Sequence, residues 1–533
     1  MVSLQMGQSA GFDVAMIKSD DSSHRLSSAA WANRIVLLSV LGICYLTLFP
    51  FILRISPGRF LHRSIFLLGN SNKETHSIDF LLNVLLFIPF GFGLCAQAHK
   101  RGLKKLSAFL IALGVGAATC YTVELLQLFI PSRDSGWDDV YSNSLGSVLG
   151  FFLFQCCGVP ILRTASSWEE HIEDWFLPKR TAWLLAFYLA ACLAISVPLQ
   201  RETRLYDWDP LNILVIGNDA AGLDAWRGQV SQLQLWSRAL PDKEMKAISA
   251  GQLVDRASEG LMGSYDFSNS PPYQDASNSL PPLVWLQQKP QGTSPGKIKL
   301  DGKSWLTTGE PVEKFNRAVM KSSQFTIHIV CTPAEVNNSN GVIVSVSRPN
   351  DNVNVHLRQD GRSLVLWFRN PLSAKHANMP FYIPFTFDAN RTMDIAASYN
   401  GSNASIYLNG NRYSRAYRLT PGAALAHLFG SVQTTALTGY SVVYETLIFI
   451  PAGILIGLAA RKWSAGSHPY LWLFPLGVVL PSVLLEILLA YVGGGEIWFR
   501  DTAVSIFLGA IGILLVNGDR QSAANNQPAP SEI

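Results

Sequence analysis

The residues of this chain best placed to do chemistry are polar groups set inside apolar sequence. Asp79 and Asn83 lie in SIDFLLNVLLFIPFGFG, Glu124 and Gln127 in TVELLQLFIPSR, and Asp138, Asp139 and Asn143 in WDDVYSNSLGSVLG. Ionisable side chains are costly in such surroundings and count as functional candidates by default. Asp79 and Asn83 are four apart and Glu124 and Gln127 three apart, so each pair shares one helix face. Asp139, Asn143, Gly146 and Gly150 run along one stripe at helical spacing. With Arg133 at the rim, these groups make a polar cup suited to a polar or anionic headgroup. The competing reading is that they pair with one another and lock a helix bundle. Catalysis has less in its favour: the chain has no paired His, no nucleophile beside a base and no metal-type Cys/His spacing. No cofactor and no metal is expected.

The pattern returns later as YETLIFIPAGILIG, LEILLAY and FRDTAVSIFLGAIG, without gaps and at a constant offset of 362 positions. Phe87/Phe449, Pro89/Pro451, Gly91/Gly453, Glu124/Glu486, Asp139/Asp501 and Gly150/Gly512 are identical pairs. A duplicated membrane segment is predicted, and its second copy carries Glu445, Glu486, Arg500 and Asp501 as a secondary set of candidate ligand-binding residues. The copies differ elsewhere: Asp79 becomes Ser441, Asn83 Glu445, Gln127 Leu489, Arg133 Gly495, Asp138 Arg500 and Asn143 Ser505. Glu124 has amide and guanidinium donors within reach and is expected to stay charged and bind ligand. Glu486 faces Glu445 with fewer donors and is expected to be neutral and structural.

The elements that must position these groups are membrane helices. Of 533 residues 48% are hydrophobic and 15% charged, and the mean hydropathy is +0.19. Candidate spans fall at 33–53, 78–97, 106–130, 140–162, 181–198, 440–460, 470–492 and 502–516, each near the roughly 20 residues a bilayer needs. With the N-terminus inside, the short cytoplasmic connections carry thirteen Lys and Arg against six outside. Both termini are then cytoplasmic, in the inner (plasma) membrane. Membrane lipids are the expected surroundings, and a glycan or cell-wall precursor a candidate partner. A net charge of +4, evenly spread, gives no reason to expect nucleic acid. The oligomeric state is left open.

Residues 199–439 read differently. In NVNVHLRQDGRSLVLWF, Val353, Val355 and Leu357 alternate before Asp360-Gly361, and Leu364, Leu366 and Phe368 after it, which is a hairpin signal. Asn400-Gly401 and Asn409-Gly410 repeat the device. An all-β jelly-roll sandwich is predicted, outside the cytoplasm. Trp208, Trp226, Trp236, Trp285, Trp305 and Trp367 offer either a sugar-stacking platform or sandwich core. The expected organisation is a disordered cytoplasmic N-terminus (1–31), a first four-helix unit (32–163) and a cytoplasmic linker (164–180). The first helix of a second unit (181–198), the β domain (199–439), three further helices (440–516) and a disordered tail (517–533) follow. The apolar run from Ile35 reads as an uncleaved anchor.

The first unit resembles the VanZ-like family of bacterial membrane proteins. Asp79, Asn83, Phe87-Ile88-Pro89 and Gly91, then Glu124, Gln127, Pro131 and Arg133, then Asp138, Asp139, Asn143, Gly146 and Gly150 carry the resemblance. The second unit is similar with the departures given above. The stretch NILVIGNDAAGLDAWRGQVSQLQLWSRALPDKEMKAI (212–248) resembles the closing piece of concanavalin A-like or laminin-G-like domains, and LMGSYDF (261–267) their opening piece. Their reversed order implies circular permutation, with Ile213–Ile216 expected beside Ile406–Leu408. The resemblances imply envelope recognition: a glycan or surface ligand on the β domain, and a lipid-linked or amphiphilic, glycopeptide-like molecule in the cup. The VanZ namesake is associated with resistance to a teicoplanin-type antibiotic. A transporter for an envelope amphiphile, or an enzyme acting on lipid-linked cell-wall precursors, are the alternatives.

Overall fold

The computed structural model describes residues 31–49, 77–127, 129–130, 136–173, 176–252, 259–287, 296–337, 339–349, 352–373, 379–413, 417–430, 432–461 and 470–517. Among them are eight helices long and apolar enough to cross a membrane. Five precede the strands: α1 (Trp31–Leu48), α2 (Ser77–Lys100), α3 (Lys105–Gln127), α4 (Trp137–Glu173) and α5 (Pro178–Arg201). Fifteen strands then alternate with three short helices, α6 (Asp242–Ser249), α7 (Glu313–Ser322) and α8 (Pro421–His427). The chain ends on α9 (Leu437–Arg461), α10 (Tyr470–Gly493) and α11 (Phe499–Asn517). A helix satisfies its backbone polar groups internally, as a lipid-facing segment must. Its outward side chains are large and apolar, with Trp183, Phe187, Leu471, Trp472 and Phe507 all exposed.

Two helices show features that the sequence reading did not include. Helix α4 runs on to Glu173, so the expected linker from 164 begins as helix. No Gly or Pro interrupts 161–173, and Pro178 instead opens α5, where a missing N–H costs nothing. Helix α10 widens to a π segment at Pro475–Val479, beside two prolines, 475 and 481, that cannot donate to the helical ladder.

The chain divides into two compact bodies. One comprises Met1–Ala190, Thr446–Ser482 and Ala503–Ile533. Within it α2 and α4 approach through glycine. A Cβ on Gly91 would stand 2.0 Å from the Ser147 carbonyl oxygen, and one on Gly150 2.2 Å from that of Ile88. Gly453 stands in the same relation to Gly509 (2.1 Å) and Gly512 to Ile450 (2.3 Å), each contact 362 positions on. Small residues let helices pack closely where lipid supplies no hydrophobic drive between them.

The other body comprises Ala191–Glu445 and Val483–Thr502. Its strands form two antiparallel sheets. In chain order the strands are β1 (Ile213–Ile216), β2 (Arg227–Trp236), β3 (Leu261–Asp266), β4 (Val284–Leu286), β5 (Ile298–Asp301), β6 (Trp305–Pro311), β7 (Phe325–Pro333), β8 (Gly341–Arg348), β9 (Asn352–Asp360), β10 (Ser363–Phe368), β11 (Phe381–Ile383), β12 (Met393–Tyr399), β13 (Asn403–Leu408), β14 (Asn411–Arg412) and β15 (Tyr417–Arg418). The first sheet runs β11-β10-β9-β8-β1-β6-β4 and the second β14-β13-β12-β7-β2-β3, with β15 on β13 and β5 on β2. Strands β9 (Asn352–Asp360) and β10 (Ser363–Phe368) form the predicted hairpin, with Asp360 opposite Ser363. Strand β13 (Asn403–Leu408) turns into β14 (Asn411–Arg412) through Asn409 and Gly410, both at positive φ, as a type I′ turn requires. Between the sheets lie Leu214, Ile216, Ile327, Ile329, Val355, Leu357, Leu366, Phe368, Ile395 and Ile406. Trp208, Trp226 and Trp236 are fully buried, so those three belong to core and not to a sugar platform.

The strand adjacency expected for β1 (Ile213–Ile216) is not observed. It pairs with β6 (Trp305–Pro311) and β8 (Gly341–Arg348), whereas Ile406–Leu408 lies in the opposite sheet on β12 (Met393–Tyr399). Alternation specifies which residues face the core but not which sheet a strand joins. The two pieces in reversed order are neighbours: β2 (Arg227–Trp236) pairs antiparallel with β3 (Leu261–Asp266), Leu233 opposite Tyr265.

Candidate functional site

In the first copy, helices α2, α3 and α4 meet around polar groups. Asn83 of α2 donates from Nδ2 to Asp139 Oδ1 of α4 at 2.6 Å. Glu124 of α3 is 2% exposed, and its Oε2 accepts the backbone N–H of Gly136 at 3.1 Å. Gly136 immediately precedes α4, so the carboxylate satisfies an amide that a helix start leaves unpaired. Gln127 donates to the Thr47 carbonyl at 3.0 Å, tying in the end of α1. Asn143 donates to Cys120 Sγ at 2.9 Å, and that sulfur lies 3.5 Å from the Asp139 carbonyl. The buried Asn143 Oδ1 and Ser147 Oγ have no hydrogen-bond partner. Asp138 is half-buried at the start of α4. The Asp79 side chain and all of Arg133 lie outside the described residues.

Two features of this cluster escaped the sequence reading. Cys120 looks like one more small apolar residue of α3, yet it links Asn143 to Asp139. Ser147 falls on the stripe of Asn143, one turn further along, and is fully buried.

The second copy is arranged differently. Asp501 and Glu486 are buried, and both receive the guanidinium of Arg418, which lies in β15 (Tyr417–Arg418). Nη2 of Arg418 donates to Glu486 Oε2 at 2.8 Å, and Nη1 donates to Asp501 Oδ2. Arg500 Nε donates to Asp501 Oδ1 at 2.8 Å. The Trp498 indole has Arg418 at 5.6 Å and Arg500 at 5.8 Å from its centroid, both within cation–π range. The Trp498 backbone N–H donates to Glu486 Oε2 at 3.4 Å. This is the Glu124–Gly136 contact again, 362 positions on and again just before a helix start. Ser441 donates to Glu445 Oε1 at 3.2 Å, while Glu445 Oε2 is buried without a partner. Arg418, Thr420, Ser441, Trp498 and Arg500 help to line a cavity of about 30 Å³, room for roughly one water.

Beside the carboxylates expected around it, Glu486 thus meets a guanidinium donor that the sequence reading did not include. Its partner comes from the inserted domain, in YRLTPG, 68 residues before it. No local spacing rule connects such a residue to a helix it does not belong to.

Residues 17–158 match the model of the VanZ/LLP1 family. A search of the curated proteins and of the solved structures finds no match. The matched segment contains the polar set of α2, α3 and α4 within membrane-length helices, and this part of the chain is VanZ-like.

Proposed function

We propose that this chain is an envelope-recognition protein of a plasma membrane, whose first copy holds the polar part of a lipid-linked or amphiphilic molecule. The observation that carries this reading is the polar cluster of buried Glu124, Gln127 and Asn143 with half-buried Asn83 and Asp139, drawn from three apolar helices. Such groups are rarely kept in membrane helices without use. The unpartnered Asn143 Oδ1 and Ser147 Oγ leave hydrogen-bonding capacity at its centre. The recurring glycine and glutamate contacts support a duplicated unit, and the charge asymmetry supports cytoplasmic termini with the β domain outside. That domain, of concanavalin A-like or laminin-G-like type, would add a glycan or surface partner.

Mass spectrometry of the full chain extracted in mild detergent tests the proposal. One amphiphile retained at near-equal molar amount is the expected result. Only bulk lipid, in the proportions of the membrane, would overturn it. Conversion of a retained precursor to product would instead favour an enzyme.

A further inference from the structure

We infer that the acidic centre of the second copy is the mount of the inserted β domain, with Arg418 as the residue that plugs it. Three carboxylates converge there: Glu486 and Asp501 touch Arg418, and Glu445 is linked to Ser441. Arg418 is itself largely buried, with 10% of its side chain exposed. A guanidinium forks to two carboxylates in a way no lysine can reproduce. The titratable and charged groups facing this centre are Glu445 from α9, Glu486 from α10, Arg500 and Asp501 from α11, and Arg418 from β15.

The backbone beside it is shaped for the same contact. Gly495 stands where the first copy has Arg133. A Cβ on Gly495 would stand 2.0 Å from Ser402 Oγ, and one on Gly401 only 1.9 Å from the Gly493 carbonyl oxygen. The Asn400–Asn403 turn of the β domain thus rests on Gly493–Gly495, with Thr203 donating to the Gly401 carbonyl at 2.9 Å. A full-length arginine at 495 would occupy the space of that turn. The position that carries an arginine in the first copy is thus a glycine where the domain packs, and the domain supplies a guanidinium through Arg418. The second copy is then a socket filled by the chain's own side chain, and Arg418 is a positioning residue.

Thermal unfolding of the full chain in detergent tests this. Arg418→Gln leaves buried Glu486 without its guanidinium and Asp501 with Arg500 alone, and is expected to give the lowest midpoint of the set. Arg418→Lys should fall between it and the wild type. Adding Glu486→Gln and Asp501→Asn to Arg418→Gln should raise the midpoint again, since the three side chains act as one network. If Arg418→Gln fails to fold, recovery of folded protein in the triple variant is the same result in another form. The inference is overturned if Arg418→Gln unfolds like the wild type, or if the triple variant is no more stable than Arg418→Gln.

Discussion

Glu124 and Glu486 occupy matching positions and meet different chemistry. Each accepts an N–H at the start of the following helix, and Glu486 also takes the guanidinium of Arg418 from the β domain. Neutralising them should therefore have different consequences. Glu486→Gln removes the negative charge of one of the two carboxylates that Arg418 contacts and is expected to lower the unfolding midpoint. A second residue-scale prediction concerns His356, which lies opposite Ser345 and Trp367 in the first sheet. It is 4% exposed, and neither ring nitrogen has a partner. Burial, helped by the neighbouring Arg358 charge, pushes its pKa down from 6.5 to about 3. The unfolded chain binds the extra proton between those values, so the contribution is complete above about 6.5 and is lost as pH falls towards 3. His356→Gln should flatten the pH dependence of the unfolding midpoint across that window. An unchanged slope would contradict it.

At the scale of elements, the glycine contacts set how closely helices and turns approach. Gly91→Ala places a methyl against the Ser147 carbonyl, which belongs to a helix backbone that cannot rotate away. A cost of about 1 to 3 kcal/mol is expected, as for other overpacked sites, and read as a lower unfolding midpoint. Gly401→Ala meets a backbone oxygen and also forces alanine to φ +98°, so it should cost at least as much. What the sequence revealed, and what it hid, divides at this scale. The spanning helices and the hairpins at Asp360-Gly361 and Asn409-Gly410 were legible because their signals are local: apolar runs and turn residues between alternating strands. The partners of β1 were not, because β6 and β8 are far along the chain and strand alternation carries no sheet address. Arg418 was hidden for the same reason, its carboxylates lying 68 and 83 residues away. The polar cluster of the first copy was legible as residue types on three helix faces, whereas Cys120 and Ser147 were masked by their resemblance to ordinary helix-packing residues.

For the whole molecule, the proposed orientation rests on the excess of Lys and Arg in the short connections read as cytoplasmic, the α2–α3 connection among them. A cysteine at Arg362 in intact cells should react with an impermeant reagent. A cysteine at Lys104 should react only after permeabilisation, and the reverse pattern would refute the orientation. On the function proposed above, the first copy holds the amphiphile and the second mounts the β domain. The most direct test compares the amphiphile retained by detergent-extracted Glu124→Gln and Glu486→Gln, each normalised to folded protein. Glu124→Gln is expected to lose the bound molecule while Glu486→Gln, though less stable, retains it. Retention by Glu124→Gln with loss from Glu486→Gln would place the working site in the wrong copy and contradict the account.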